Sequence, residues 1–307
     1  MTQLFRSLVL VLTLLSPSFA IAQQELNPAQ LNVEARVPSY GPRMIEAYGS
    51  LWFLYDFSTL IRVDPVTAKI VAEIPLEGFV GTQREFVAAE GGLWIPDLGS
   101  NQTFKVDPRT NMVTLRIPVT HRSESIGVGA GAVWVGTRRD GQYYVSRFSA
   151  KSGALEAEIA APSQAYDVAV AGKMVWFLGD ERKLYRIDPA TNELVGEPLE
   201  GYIFGMKAAG GKLYVPTREM EIHEIDPATL EVTARYATGL PEGGINFVFT
   251  EGDMWFTAFN TTLGQLDLAT NTLERIYRGS DYGAALAFAD GALWINNWSE
   301  TLRITPP

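Results

Sequence analysis

Three carboxylates, Glu85, Asp97 and Asp167, stand in polar stretches that differ from one another along the chain. If they shared one metal shell, roughly 2.0–2.6 Å from an ion, magnesium or calcium would suit their hard oxygens. Such a centre would polarise a carbonyl or activate water for a lyase or hydrolase reaction. His121, in "VTHRSES" beside Arg122 and Glu124, is the histidine whose loop position suits a general base. The other histidine, His223, aligns with Ile61, Phe104, Tyr185 and Leu302 and reads as a packing residue. Arg43, Arg84, Tyr166, Asn246, Asn297 and Trp298 complete a set of polar and aromatic groups suited to holding a ligand. Arginines also gather in neighbouring loops (Arg122, Arg138, Arg139, Arg182, Arg218), where they would hold carboxylate or phosphate or pair with nearby acids. The catalytic reading therefore rests on Glu85, Asp97, Asp167 and His121. The binding reading rests on Arg43, Arg84, Glu85, Asp97, Tyr166, Asp167, Asn246, Asn297 and Trp298.

The elements that position these residues are repeated. Gly-x-Leu-Trp or a variant recurs at Trp52, Trp94, Trp134, Trp176, Tyr214, Trp255 and Trp294, with spacings of 42, 40, 42, 38, 41 and 39 residues. A period near 40 with short alternating apolar runs predicts a propeller or solenoid. Each unit reads as four strands. A second signature, Asp-Pro-x-Thr or a relative, sits between the third and fourth strands at Asp64, Asp107, Asp188, Asp226 and Asp267. One Asp and one Thr are too few oxygens for calcium. These residues read as turn formers, with Asp accepting backbone N–H bonds and Pro presetting φ. The third unit carries Ser149-Ala150-Lys151-Ser152-Gly153 instead.

The last unit stops after its third strand, and "LNVEARVP" near the start resembles a fourth strand. Pairing the two would close a ring and remove an exposed sheet edge. The expected fold is all-β, a seven-bladed β-propeller of four-stranded antiparallel blades, its ring closed by the N-terminal strand in the last blade. Residues 31–307 would form this single domain, preceded by a short segment, 23–30. The candidate residues fall before the first strand of each blade or just past the second, on the side where the units diverge. There they would ring a funnel.

The start of the chain, "MTQLFRSLVLVLTLLSPSFAIAQ", has Arg6, an apolar run from Leu8 to Leu15 and an Ala20-Ile21-Ala22 pattern. It reads as a signal peptide cleaved after Ala22, giving an exported protein, periplasmic or secreted. The run is too short to span a membrane. With no cysteine there is no disulfide and no c-type haem. A formal charge of −10 makes nucleic acid a poor partner, and no nucleotide-binding motif stands in a supporting context. A monomer holding a small molecule, peptide or protein partner is expected.

The paired signatures resemble two related propeller families, the streptogramin (virginiamycin B) lyase-like group and the exported YVTN-repeat proteins. The resemblance spans Leu31 to Pro307 and is carried by turn and core residues. For the lyase group it implies magnesium, a histidine base before an innermost strand and a glutamate near the end of a second strand. The matching positions here hold Ile245 or Ala284 and Ala258 or Asn297. The second-strand position is acidic at Asp97. The binding module is therefore the preferred expectation, and a metal-dependent lyase or hydrolase with a non-standard site is the alternative.

Overall fold

The computed structural model describes residues 24–27, 30–39, 43–76, 86–97, 99–119, 126–203, 205–240, 245–258, 262–278, 285–297 and 299–305. The candidates Arg84, Glu85, His121 and Trp298, and the expected cleavage site at Ala22, lie outside these residues.

Seven antiparallel blades form the expected propeller. The second strands are Ser50–Leu54, Gly92–Asp97, Ala132–Arg139, Met174–Leu178, Lys212–Pro216, Asp253–Ala258 and Ala292–Asn296. First strands of successive blades touch around the ring. In blade seven, Asn32–Pro38 pairs antiparallel with Glu300–Thr305, so the N-terminal strand completes the blade. Asn296 seals this seam. It is fully buried, and its amide donates to Ser39 Oγ at 2.9 Å and Thr301 Oγ1 at 3.0 Å. The short lead-in also has a place. Gln24–Leu26 adds a parallel fifth strand outside Thr272–Arg278 of blade six.

The repeated aromatics are core. Trp52, Trp94, Trp134, Trp176, Trp255 and Trp294 are almost wholly buried. In several blades the indole N–H satisfies the end of the first strand. Trp52 donates to Ala47 O at 2.9 Å, Trp94 to Ala89 O at 3.1 Å, and Trp176 to Ala171 O at 3.2 Å. A buried N–H needs such an acceptor.

A cation stands opposite four of these tryptophans on the third strand and covers the ring. The distances to the ring centroid are 5.0 Å for Arg62 over Trp52, 5.0 Å for Lys105 over Trp94, 5.1 Å for Arg147 over Trp134 and 5.7 Å for Arg186 over Trp176. Three of these cations reach the next blade's turn. Arg62 donates to Pro108 O at 2.8 Å and Asn111 Oδ1 at 3.1 Å. Lys105 donates to Ala150 O at 3.3 Å, and Arg147 to Pro189 O at 2.6 Å and Asn192 Oδ1 at 3.0 Å. Arg303 donates to Pro65 O at 3.1 Å, carrying the pattern across the closure seam. Each bond latches one blade to the next. Blade six has Gln265 at this position. Blade seven offers it no turn to catch, because its third and fourth strands come from opposite ends of the chain.

The Asp-Pro-x-Thr residues are turn formers. Asp64 Oδ1 accepts the N–H of Val66 at 2.9 Å and of Thr67 at 2.8 Å. Asp226 and Asp267 make equivalent bonds. Ser149 takes the role in blade three. The fourth residue on is left-handed, for example Asn111 at φ 56° and Asn192 at φ 58°. Asparagine tolerates that region, and its amide oxygen receives the latch.

Four of these carboxylates titrate low. Lys212 and two backbone N–H groups hold Asp226 down to about 2 from an ordinary 3.8. Asp64, Asp107 and Asp267 are also lowered, chiefly by hydrogen bonds to their own turns. A depressed folded pKa stabilises above the unfolded value and loses that contribution as pH falls through the folded one. Stability should therefore be level above about pH 5 and fall between roughly pH 4 and 2. Melting temperatures across this window check it, and Asp226→Asn should flatten part of the fall.

Candidate functional site

The loops between second and third strands and the links between blades share one side of the ring, opposite the Asp-Pro turns. This upper face is where the units differ. Arg43, Asp97, Tyr166, Asp167, Asn246 and Asn297 all stand at it, and the architecture already uses several of them.

Asp97 ends the second strand of blade two and is buried. Its Oδ1 accepts Gly99 N at 2.8 Å, and its Oδ2 accepts the Ser100 hydroxyl. The carboxylate thus shapes its own loop. Asp167 begins the first strand of blade four, Asp167–Ala171. Its Oδ2 accepts Gly205 N at 2.8 Å and Met206 N at 3.4 Å, tying blade four to the lead-in of blade five. Gly205 has φ +108°, and a Cβ there would meet Ile245 O at 2.6 Å, so only glycine fits this crossing. Tyr166 is half-buried, with its backbone N–H on Leu178 O at 2.8 Å. Arg43 is half-buried just before Met44–Ala47.

Asn297 holds a turn, its Oδ1 accepting Ser299 N at 3.3 Å and Glu300 N at 2.9 Å. Asn246 Oδ1 accepts Lys207 Nζ at 3.0 Å, and the same ammonium donates to Phe247 O at 2.8 Å. Here the latch has moved. Blade five carries Lys207 on its first strand and Glu224 on its third, facing Tyr214 from either side. Other blades carry an apolar or small residue on the first strand at this position, such as Ile45 or Ala169. On the third they carry a cation or glutamine. An internal alignment contains this transposition, and it is the signal by which Lys207 and Glu224 can be found from sequence.

Glu224 is held within its own blade. Tyr236 donates to its Oε2 at 3.0 Å, Tyr214 at 3.3 Å, and Thr233 to its Oε1 at 2.7 Å. Burial, then the bond to Glu224, pushes the Tyr236 phenol up to about 12. Tyr214 is raised too, by burial and the Glu224 charge. Both remain neutral donors at physiological pH.

His223 is half-buried, its Nε2 3.2 Å from Glu221 Oε2 and its ring edge-on to Tyr202 at 5.8 Å. Among the described residues, no three His, Asp or Glu side chains gather as a metal site. The proposed shell of Glu85, Asp97 and Asp167 includes a residue outside the described set.

Two features distinguish the upper face. Tyr55 and Phe57, in the loop of blade one, are 47% and 36% exposed. Their loop is stiffened by Asp56, whose Oδ1 accepts Ser58 N at 2.7 Å. In blade three the hairpin of Ala132–Arg139 and Gln142–Ser149 is two to three residues longer per strand than in the other blades. At 3.3 Å per residue its paired ladder runs roughly 7–10 Å further along the strands.

The fold and this upper face define the class of molecule: a seven-bladed β-propeller with a polar, aromatic-bearing mouth. Among solved structures the chain is similar to Kuenenia stuttgartiensis hydrazine synthase, with a TM-score of 0.68 and 11% identity, over 91% of this chain and 98% of that one. At that identity the likeness is one of fold. No protein-family model and no curated protein sequence matches the chain.

Proposed function

We propose that the protein is an exported β-propeller binding module that holds a small molecule, peptide or protein partner at the mouth of its upper face. The carrying observation is the division of labour between the two faces. The lower face repeats one turn chemistry in six blades, and at four junctions a third-strand cation bonds across to the next blade's turn. The upper face presents groups that differ in every blade, with exposed aromatics among them. Binding sites concentrate on such loops over a rigid scaffold. Export is supported by the three-part pattern at the start of the chain, and the lyase-like and YVTN resemblance supports the same kind of exported propeller.

The alternative, a metal-dependent lyase or hydrolase, would need Asp97 and Asp167 to ligate as well as shape the backbone. Each already has oxygen committed to backbone N–H groups. The test is a melting curve of residues 23–307 in EDTA, then with magnesium, calcium, manganese or zinc, and with a metabolite panel. A ligand at 100 times its Kd should stabilise by about 2.7 kcal/mol. A metabolite shift lost on changing Arg43 or Tyr166 supports binding. A metal shift lost in Asp97→Asn and Glu85→Gln would overturn it in favour of the enzyme.

A further inference from the structure

We infer that the upper face is a docking surface for another protein, engaged by two separate patches. This rests on the binding reading above and names its occupant. The first patch is the pair Tyr55 and Phe57, two of the three exposed aromatics among the described residues. The third, Tyr48, is on the opposite face, its hydroxyl bonded to Gly92 O at 3.1 Å. Stiff, exposed aromatics are the side chains that anchor protein interfaces, because they bury large area with little rotamer entropy lost.

The second patch follows the loops of blades three, four and five. Arg138, Arg182 and Arg218 occur one per blade on the same face, and all are exposed. None forms an ion pair with a described residue. Arg36, Arg109, Arg139, Arg147 and Arg303, by contrast, each pair with a carboxylate. Arg138 is pre-set for contact, its guanidinium stacked 5.2 Å over Tyr143 on the longer hairpin. Tyr143 in turn packs against a core cluster that includes Ala161, Ala165 and Val168. Glu181 and Arg182 are both left-handed, at φ 58° and 63°. Strain of this kind persists where surrounding structure enforces it.

The charge pattern identifies the partner's chemistry. Exposed Asp140, Asp180 and Glu219 lie within two residues of the three arginines, so the arc alternates in sign. A uniform polyanion would meet these acids and be repelled. A protein surface carrying both signs, with carboxylates for the guanidiniums and an apolar pocket for Tyr55 and Phe57, is complementary.

The experiment places the photo-crosslinking residue p-benzoylphenylalanine at Tyr55, Arg138 or Arg218, and at Val66 on the lower face as control, in cells that natively make the protein. The expected result is one heterologous polypeptide crosslinked from all three upper positions and absent at Val66. When purified, it should bind the wild-type chain and lose at least tenfold in affinity with Tyr55→Ala/Phe57→Ala, and separately with Arg138→Ala/Arg182→Ala/Arg218→Ala. The affinity should also fall with added salt for the wild type, and less steeply for the arginine variant. Adducts indistinguishable from Val66, adducts only with a second copy of this chain, or unchanged affinity in both variants would overturn the inference. A metabolite shift in the melting assay would still stand in that case, so the two readings fail separately.

Discussion

A chain beginning at Tyr40 is expected to lose its cooperative melting transition. Removing residues 1–39 takes the outer strand from blade seven and exposes the edge of Glu300–Thr305. Leu31 and Val37 are buried, and each contributes about 1.5–3 kcal/mol by burial. The seam also loses Ser39, leaving Asn296 and Thr301 short of a partner inside the protein at about 1–3 kcal/mol. Together with the lost ladder bonds this is comparable with the whole stability of a typical domain, about 5–15 kcal/mol. The Arg303 latch to Pro65 would be loosened as well, so blade one loses its neighbour. Circular dichroism during heating checks the prediction. A synthetic peptide of residues 31–39 should partly restore the transition. Asn296→Ala, which keeps the strand, should melt lower but still cooperatively. A sharp, unshifted transition in the truncated chain would show that six blades and a partial seventh suffice.

Trp134→Ala is expected to cost about 3–5 kcal/mol, as full truncations of large buried aromatics do. The indole is fully buried, donates to Gly129 O at 3.3 Å and supports Arg147. Arg147→Ala should cost about 1.5–3 kcal/mol, since its charged bonds to Pro189 O and Asn192 are at a mostly buried seam. The two effects should not add. Without the ring, the guanidinium loses the surface that aims it at blade four, so the double variant should be less destabilised than the sum by about 0.5–3 kcal/mol. Arg147→Lys should recover only part, because an ammonium cannot serve both turn acceptors with the same planar fork. Urea melts of the three variants and the wild type measure the cycle, and strict additivity would refute the latch as a coupled unit.

The repeat was legible because it is local. A tryptophan every 40 or so residues, an Asp-Pro turn and a missing fourth strand each follow from patterns within one unit, and together they imply seven blades and the closing strand. Turn chemistry is equally local, which is why Asp64, Asp107, Asp188, Asp226 and Asp267 could be separated from ligand sites by counting oxygens. The identity of the cations opposite the tryptophans was in the text of the chain. Their role was not, because Arg62 meets Pro108 only once two blades are stacked.

The same limit applies to the candidate site. Asp97, Asp167, Asn246 and Asn297 share a face, as their places in the repeat imply, yet what each oxygen accepts depends on backbone from a loop or a neighbouring blade. Asp167 meets Gly205 across 38 residues, and Asn246 meets Lys207 across 39. Exposure is likewise a property of the assembled surface. Tyr55 stands just past a second strand, where the repeat places the funnel, but the exposure of Tyr55 and Phe57 is decided only when the ring closes. The blade, its count and its closure follow from the order of residues, because strand pairing and turns are governed by near neighbours and periodicity. The tertiary structure alone decided which polar groups hold the ring together and which are left to meet a partner, because that division is made between blades.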